Sequence, residues 1–324
     1  KGVQGQGIFS TGKHFPGHGD TAADSHHTLP LLDFSLERID LVELYPYKRI
    51  FDEGLVSVMV GHLEIPSLDP RKNLPSSASY NVVTHLLQKQ VGFEELIFTD
   101  GLAMKGATNF LGPGDLELAV ILAGNDILLA PIDVPAGFEK LETAYKNGIL
   151  TEERLAHSVK KILRYKYKAG LNTYKPVVLE NLVQDINPSE NEALHYKLYE
   201  NAITVLKNEK EILPIKNLNQ KIAYVKLGDD VNSTFVTTLK KYTEVTEVKN
   251  TNIDSLNRKL KNYNTVIIGF HKVNKTWDKQ EFIATELVWL QEISKHNKVI
   301  LDIFSKPYSL LPLTNFDDIE GLVV

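Results

Sequence analysis

Short apolar runs alternate with helical patterns along the first 170 residues. Residues 7–13, 56–60, 95–99 and 126–129 are apolar runs of strand length. Between them, apolar residues recur three or four positions apart, as they do on the buried face of an amphipathic helix. Helices are therefore predicted near residues 44–53, 80–91, 116–123 and 152–169. This alternation predicts about four strand–helix units that share a parallel sheet.

The last helix of this region has the clearest end signals. Thr151 is a favourable N-cap before Glu152 and Glu153, and Gly170 stops the pattern. Its apolar residues recur at helical spacing, and we expect them to form the buried face. They are Leu155, Val159, Ile162 and Leu163.

A polar stretch separates this region from a second alternation of strands and helices. We assign residues 1–171 to one domain, residues 172–200 to a linker and residues 201–324 to a second domain. In the second domain, strands are predicted at 222–227, 266–270, 299–304 and 319–324, and helices near 232–241, 253–262 and 281–295. This pattern predicts another α/β sheet, layered as helix, sheet and helix.

Polar side chains cluster where three of the predicted strands of the first domain end. Lys13 and His14 follow GIFST of the first strand, His62 follows the second strand, and Asp100 follows the third. The loops at the carboxyl ends of parallel strands build the active site of a parallel barrel. We therefore expect these residues to form one site.

Asp100 is the candidate nucleophile. It lies in FTDGLAMKGA, directly after an apolar strand. A carboxylate held at a strand end and partly removed from water can attack the anomeric carbon of a sugar and form a glycosyl ester. The alternative is that Asp100 caps the following helix.

The stretch PGHGDTAADSHHTLP, residues 16–30, is called the histidine loop below. In a turn, the carboxylate of Asp24 can reach the imidazole of His26, fix its tautomer and raise its basicity. Such an imidazole can protonate a leaving oxygen and later deprotonate water. The alternative is a turn-forming aspartate beside a solvated histidine.

A metal site is a second alternative for this stretch. Its candidate ligands are His14, His18, His26 and His27. However, Pro16 and the glycines beside His18 disfavour a helix, and there is no HExxH motif. The glycines also lack the spacing of a Walker phosphate loop, and we interpret them as shaping the turn.

Composition narrows the classes of function. The 324-residue chain is 43% hydrophobic and carries a formal net charge of −5, which argues against a nucleic-acid or anionic-membrane surface. No apolar run approaches the ~20 residues that span a bilayer. The chain has no cysteine, so disulfides, thiolate catalysis and cysteine-bound zinc or iron–sulfur centres are excluded.

Two motifs together resemble glycoside hydrolase family 3, in particular its β-N-acetylglucosaminidase branch. They are KHFPGHGDTAADSH and, further along, FTDGLAMKG. The first motif matches the pattern of this branch at every fixed position. These positions are Lys13, His14, Pro16, Gly17, Gly19, Asp24, Ser25 and His26. The similarity continues through VMVGHLEIPSLDP and reaches ILDIFSKPYSL in the second domain.

The resemblance implies a role for each matching position. Asp100 corresponds to the nucleophile, His26 to the acid/base and Asp24 to its partner. Lys13 and His14 correspond to residues that hydrogen-bond sugar hydroxyls, and we also assign His62 and Met104 to substrate binding. Gly101 departs from the pattern, because many members have a second aspartate there. No metal or organic cofactor is implied.

The family fold is a (β/α)₈ barrel of the TIM type, and residues 1–171 match only its second half. We therefore expect this chain to be the C-terminal half of the barrel followed by an αβα-sandwich domain, as a fragment of a longer protein. Either the N-terminal half-barrel or a second copy of the chain should cover the open sheet.

The expected activity is that of a retaining exo-β-N-acetylglucosaminidase. It would act on GlcNAc-terminated muropeptides or related amino-sugar glycosides. A β-glucosidase or β-xylosidase of the same family is one alternative, and a non-catalytic saccharide-binding or scaffold fragment is another. A neutral imidazole also repels anions less than a carboxylate base does, so phosphate is an alternative acceptor to water.

Overall fold

The computed structural model describes residues 1–231, 234–249, 252–273 and 280–324. It divides the chain into two compact units, Lys1–Val177 and Val178–Val324. Both units contain a sheet of parallel strands accompanied by helices. The α/β class that the alternating pattern predicts is thus confirmed.

The first unit contains a four-stranded parallel sheet in the order β1-β2-β3-β4. Its strands are β1 (Thr11–Phe15), β2 (Ser57–Val60), β3 (Leu96–Gly101) and β4 (Ile127–Leu129). Its helices are α1 (Leu36–Arg38), α2 (Tyr45–Asp52), α3 (Asn81–Gln90), α4 (Lys105–Thr108), α5 (Asp115–Ala123), α6 (Val134–Lys146) and α7 (Glu152–Lys168). Helix α3 and the turn Ile39–Glu43 have π-type hydrogen bonding.

Two strands lie further along the chain than predicted. Residues 4–6 form a 3₁₀ turn that ends at Gly7 with φ of 80°, so extended backbone begins only at Thr11. The third strand also ends later than predicted, at Gly101. His14 therefore lies inside β1 and Asp100 lies inside β3, rather than in the loops that follow. Among the helices of this unit, α6 was not predicted.

Apolar side chains of the first sheet pack against α2 and α3. Val58, Val60 and Ile97 are fully buried, and they belong to one cluster with Tyr47 and Leu87 of the helices. Burial of such side chains drives the sheet and the helices together. The predicted spacing of apolar residues in both helices is consistent with this packing.

Helix α7 turns a different face inward from the predicted one. Thr151 caps it as expected, accepting the N–H of Arg154 at 3.2 Å. However, Leu155, Val159 and Leu163 are exposed.

The buried face of α7 is polar because it supplies hydrogen-bond partners to a buried carboxylate. Asp126 accepts hydrogen bonds from Ser158 at 2.5 Å, from the N–H of Ile97 at 3.0 Å and from Lys161 Nζ at 2.6 Å. A buried charge requires such partners, so this network decides which face of α7 packs on the sheet.

The second unit contains six strands in the order β5-β10-β9-β8-β6-β7, with β5 antiparallel to β10 and the other pairs parallel. They are β5 (Val205–Asn208), β6 (Ile222–Gly228), β7 (Val245–Glu247), β8 (Thr265–His271), β9 (Val299–Phe304) and β10 (Gly321–Val323). The helices are α8 (Leu182–Ile186), α9 (Ser189–Ala202), α10 (Thr234–Leu239), α11 (Ile253–Leu260) and α12 (Ala284–His296).

Several elements of this unit differ from the prediction. Strands β5 and β7 were not predicted, and the polar stretch assigned to a linker contains α8 and α9. No residue of α9 is buried. The predicted helix near 232–241 appears as α10, while residues 232 and 233 lie outside the described residues.

Both faces of the second sheet carry apolar clusters. Leu256 of α11 and Leu290 of α12 pack with one set of strand residues, and Val236 of α10 packs with the other set. No helix in the described ranges is both long and apolar enough to span a bilayer.

Asp302 of β9 is partly buried beside Phe235 and Phe304, in register with Val323 of the neighbouring strand β10. Burial raises the pKa of its carboxyl group from 3.8 to about 7. The folded protein therefore binds this proton more tightly than the unfolded chain does.

The stability of the second unit should depend on pH through Asp302. Its stabilising contribution is fully present below the unfolded pKa and is lost as the pH rises through the folded pKa, by at most about 4 kcal/mol. The variant Asp302→Asn should escape this loss. In urea titrations, its advantage over wild type should grow from about pH 4 to about pH 8.

The control is Asp317→Asn, a change at an exposed carboxylate of the same unit. It should show no comparable growth. An Asp302→Asn advantage that stays constant with pH would contradict the buried-carboxyl argument.

Candidate active site

The carboxyl ends of β1 and β3 bring His14 and Asp100 together. The Nε2 atom of His14 lies 3.4 Å from Oδ2 of Asp100. The other carboxylate oxygen of Asp100 accepts the N–H of Gly101 at 2.8 Å. Only 8% of Asp100 is exposed. The structure therefore holds this carboxylate in a fixed orientation at the end of a buried strand.

The backbone around His14 explains how the ring reaches this position. The register of β1 against β2 shifts between Lys13 and Phe15, which changes the regular alternation at His14. Opposite it, a Cβ atom on Gly61 would lie 3.1 Å from the Cβ of His14. Glycine at position 61 therefore leaves the room that the histidine needs.

His14 is an uncharged neighbour of Asp100 at neutral pH. Burial lowers the pKa of its imidazole, and the nearby Asp100 carboxylate offsets only part of that effect. The ring can thus donate or accept one hydrogen bond without neutralising the carboxylate. Lys13, next to it on the strand, is exposed.

Asp24 and His26 form a hydrogen-bonded pair in the histidine loop. The Oδ1 atom of Asp24 lies 2.7 Å from Nδ1 of His26 and also accepts the backbone N–H of His26 at 2.9 Å. That backbone hydrogen bond is the main reason why the pKa of Asp24 is lowered. An ionised Asp24 holds the proton on Nδ1, which makes Nε2 the basic nitrogen of the ring.

The pair remains accessible to solvent, with side-chain exposures of 45% for His26 and 39% for Asp24. The neighbouring His18 supports the loop from within. Its two ring nitrogens lie 2.8 Å from the hydroxyl of Thr21 and 3.0 Å from that of Ser25. Among the described residues, no group of three or more histidines or acidic side chains is arranged to hold a metal ion.

His62 is not accessible to a substrate, although we assigned it to substrate binding from the sequence. Its side chain is fully buried. Nε2 lies 3.0 Å from the carbonyl oxygen of Gly101 and must donate to it, while Nδ1 accepts from the hydroxyl of Ser77 at 2.8 Å. Burial lowers the pKa of the ring, so it stays neutral. His62 therefore orients the backbone beside Asp100, and its ring has no surface left for a sugar.

We did not predict from the sequence the residues that support His62. Asn125 donates to the carbonyl of Ser77 at 2.8 Å and so holds the partner of His62. The signal that could have found them is the position of His62 at a strand end in a largely apolar segment, where a buried histidine needs polar partners.

Met104 and Gly101 pack against each other. A Cβ atom on Gly101 would lie 3.4 Å from Sδ of Met104, which is ordinary contact. The structure thus places Met104 next to the strand end that carries Asp100. A separate cleft of about 490 Å³ lies beside β1, and its lining includes Lys13, His14 and His18 but neither Asp100 nor His26.

Comparisons with known proteins show which family the chain resembles. The family model described as "Glycosyl hydrolase family 3 N terminal domain" matches residues 1–165. The chain is 30% identical over 248 residues to "Beta-hexosaminidase A" of Pseudoalteromonas piscicida. This match covers 71% of this chain and 41% of the relative. The chain is also 28% identical over 221 residues to "Beta-N-acetylglucosaminidase/beta-glucosidase" of Cellulomonas fimi. That match covers 66% of this chain and 39% of the relative.

A solved structure also resembles this chain. It is a glycoside hydrolase family 3 β-N-acetylglucosaminidase from Paenibacillus sp. str. FPU-7, with a TM-score of 0.77, 24% identity and coverage of 99% of this chain and 63% of that one. This likeness concerns the fold. With the family model matching half of the sequence, the chain belongs to glycosyl hydrolase family 3.

Proposed function

We propose that this chain carries the nucleophile and the acid/base of a retaining exo-β-N-acetylglucosaminidase. The observation that carries the proposal is the Asp24–His26 pair, joined at 2.7 Å in an accessible loop. An ionised aspartate behind an imidazole is suited to proton transfer in both directions. The names of the relatives, a β-hexosaminidase and a β-N-acetylglucosaminidase/β-glucosidase, support this substrate class.

The reaction would proceed in two displacements. In the first, Oδ2 of Asp100 attacks the anomeric carbon, while the imidazolium of His26 protonates the departing glycosidic oxygen. In the second, neutral His26 removes a proton from water as the water oxygen attacks the same carbon, and the Asp100 carboxylate leaves. Asp24 stabilises the imidazolium, and Lys13 and His14 bind sugar hydroxyls.

The names of these relatives also support the proposed natural substrate. We propose terminal β-linked GlcNAc, in muropeptides or in related amino-sugar glycosides. A β-glucosidase or β-xylosidase remains the alternative within the family, and a non-catalytic saccharide-binding protein the alternative outside it. Nitrophenyl glycosides of GlcNAc, glucose and xylose, assayed with the full-length protein, distinguish the three.

We also propose that residues 1–171 are half of an eight-stranded barrel and that residues 201–324 belong to an αβα-sandwich domain, with 172–200 between them. The four-stranded sheet has two open edges, β1 and β4. Apolar side chains near the second edge, such as Leu129 and Ile132, are exposed. A second half-barrel, or a second copy of this chain, would pair these edges and cover such residues.

Replacing Asp100 with asparagine should abolish the first displacement. Folding should persist, because the amide oxygen can still accept the N–H of Gly101. We expect activity to fall by about three orders of magnitude or more. A 5-fluoro glycosyl donor should label Asp100 of the wild-type protein, as peptide mass spectrometry would detect.

The control is Asp115→Asn, which alters an exposed carboxylate of α5 and should retain activity. A sugar label on a carboxylate other than Asp100 would show that the nucleophile is assigned wrongly.

Removing the imidazole of His26 should impair substrates according to their leaving groups. In His26→Ala, phenyl glycosides should lose about 100-fold or more in kcat/KM, whereas dinitrophenyl glycosides, which depart without protonation, should lose little. His157→Ala, at an exposed histidine of α7, is the control. An equal loss across the series would count against His26 as the acid.

The isolated chain should have negligible glycosidase activity. It carries both reacting groups, but half of the pocket that holds the sugar for attack would be absent. Residues 1–324 should be purified, weighed in solution and assayed with and without the N-terminal half-barrel. A monomer with full activity would refute the half-barrel proposal.

A further inference from the structure

The histidine loop rests on helix α4, which begins three residues after β3 ends. The N–H of Gly106 in α4 donates to the carbonyl oxygen of Ser25 at 3.1 Å. The N–H of Lys105 points to the carbonyl oxygen of His26 at 3.4 Å. The backbone that carries His26 is therefore attached to the segment that follows Asp100.

The contact is close because Gly106 has no side chain. A Cβ atom at this position would lie 3.0 Å from the carbonyl oxygen of Ser25, 3.1 Å from that of Thr28 and 3.1 Å from the Cβ of His62. All three distances are tighter than ordinary contacts to a Cβ atom. Gly106 lies in a helix, so the requirement for glycine is steric rather than conformational.

Of the surrounding groups, the histidine loop is the more exposed, although Ser25 itself is buried. His62 is fully buried, and both of its ring nitrogens are hydrogen-bonded. In the loop, His26, His27 and Thr28 are exposed. A side chain at position 106 would therefore displace the loop by a few tenths of an ångström or more and leave the strand that carries Asp100 in place.

We propose that Gly106 is a positioning residue for acid/base catalysis, because it docks the histidine loop on α4 and so sets the distance from His26 to the reacting bond. This inference rests on the proposed function. Gly106 acts through the loop backbone, and it need not touch the substrate. Proton transfer requires the donor within hydrogen-bond reach, so a small displacement of the loop weakens protonation of the leaving group.

The consequence separates positioning from general destabilisation. Displacing His26 removes protonation of the leaving group, whereas attack by Asp100 keeps its geometry. The loss in kcat/KM, which reports the first displacement, should therefore depend on the leaving group. Partial unfolding would instead reduce kcat/KM equally for every substrate.

The test is Gly106→Ala in the full-length protein, with Gly112→Ala as the matched control. Gly112 lies six residues further on, and a Cβ atom there would meet nothing within 4 Å. For Gly106→Ala, kcat/KM should fall about tenfold more for phenyl than for dinitrophenyl β-N-acetylglucosaminides. Gly112→Ala should match the wild type across the series.

Hydrogen exchange gives a readout that does not depend on activity. In the wild type, the Gly106 amide should be protected by its bond to Ser25. In Gly106→Ala, amides of the histidine loop should exchange faster, whereas those of β3 should be unchanged. If the variant fails to fold, the wild-type measurement still decides, because a rapidly exchanging Gly106 amide would overturn the docking.

Two further outcomes would overturn the proposal: a loss in Gly106→Ala that is equal for all leaving groups, and unchanged kinetics. If the wild-type protein hydrolyses none of these glycosides, the proposed function fails, and the exchange measurement alone decides whether Gly106 docks the loop.

Discussion

Parallel pairing of β1, β2 and β3 is the constraint on which the candidate site depends. Parallel strands end at the same edge of a sheet, so residues far apart in sequence meet there. His14 and Asp100 are separated by about half of the first unit, yet their side chains approach to 3.4 Å. The buried faces of Val58 and Ile97 fix the register, and a slip of one residue would turn Asp100 to the opposite side.

Burial then gives histidines at one site different surroundings. His14 and His62 have lowered pKa values because the protein removes them from water, so a neutral His14 lies beside the Asp100 carboxylate and a neutral His62 holds the carbonyl of Gly101. His26 instead lies in an accessible loop, where its Nδ1 is hydrogen-bonded to Asp24. Position relative to the core, rather than residue type, distinguishes the buried histidines near Asp100 from the proposed acid/base, His26.

The sequence predicts the apolar strands, because length and apolar character determine them, but it misses β5 and β7, most of whose residues are exposed. It predicts helix faces less well. The stripe of Leu155, Val159 and Leu163 is regular, but its helix packs through a polar network around Asp126 that no periodicity encodes. Helix α9 was missed because its segment is mostly polar, and the apolar residues that it does carry, such as Leu194 and Leu198, are exposed.

The residues of the candidate site also differ in how well the sequence predicts their roles. The Asp24–His26 pair is two residues apart, so a turn is enough to form it and the sequence predicts it. The role of His62 depends on contacts with Ser77 and with the carbonyl of Gly101, which are distant in sequence. Residue type alone suggested a sugar ligand, whereas complete burial assigns the ring to the support of the backbone.

Two glycines permit contacts that a side chain would block or alter. Gly61 leaves room for His14, and Gly106 receives the histidine loop. Neither has a positive φ, so their backbones do not require glycine. The site therefore depends on the absence of side chains at the points where its strands, helix and loop approach one another, as well as on the groups that react.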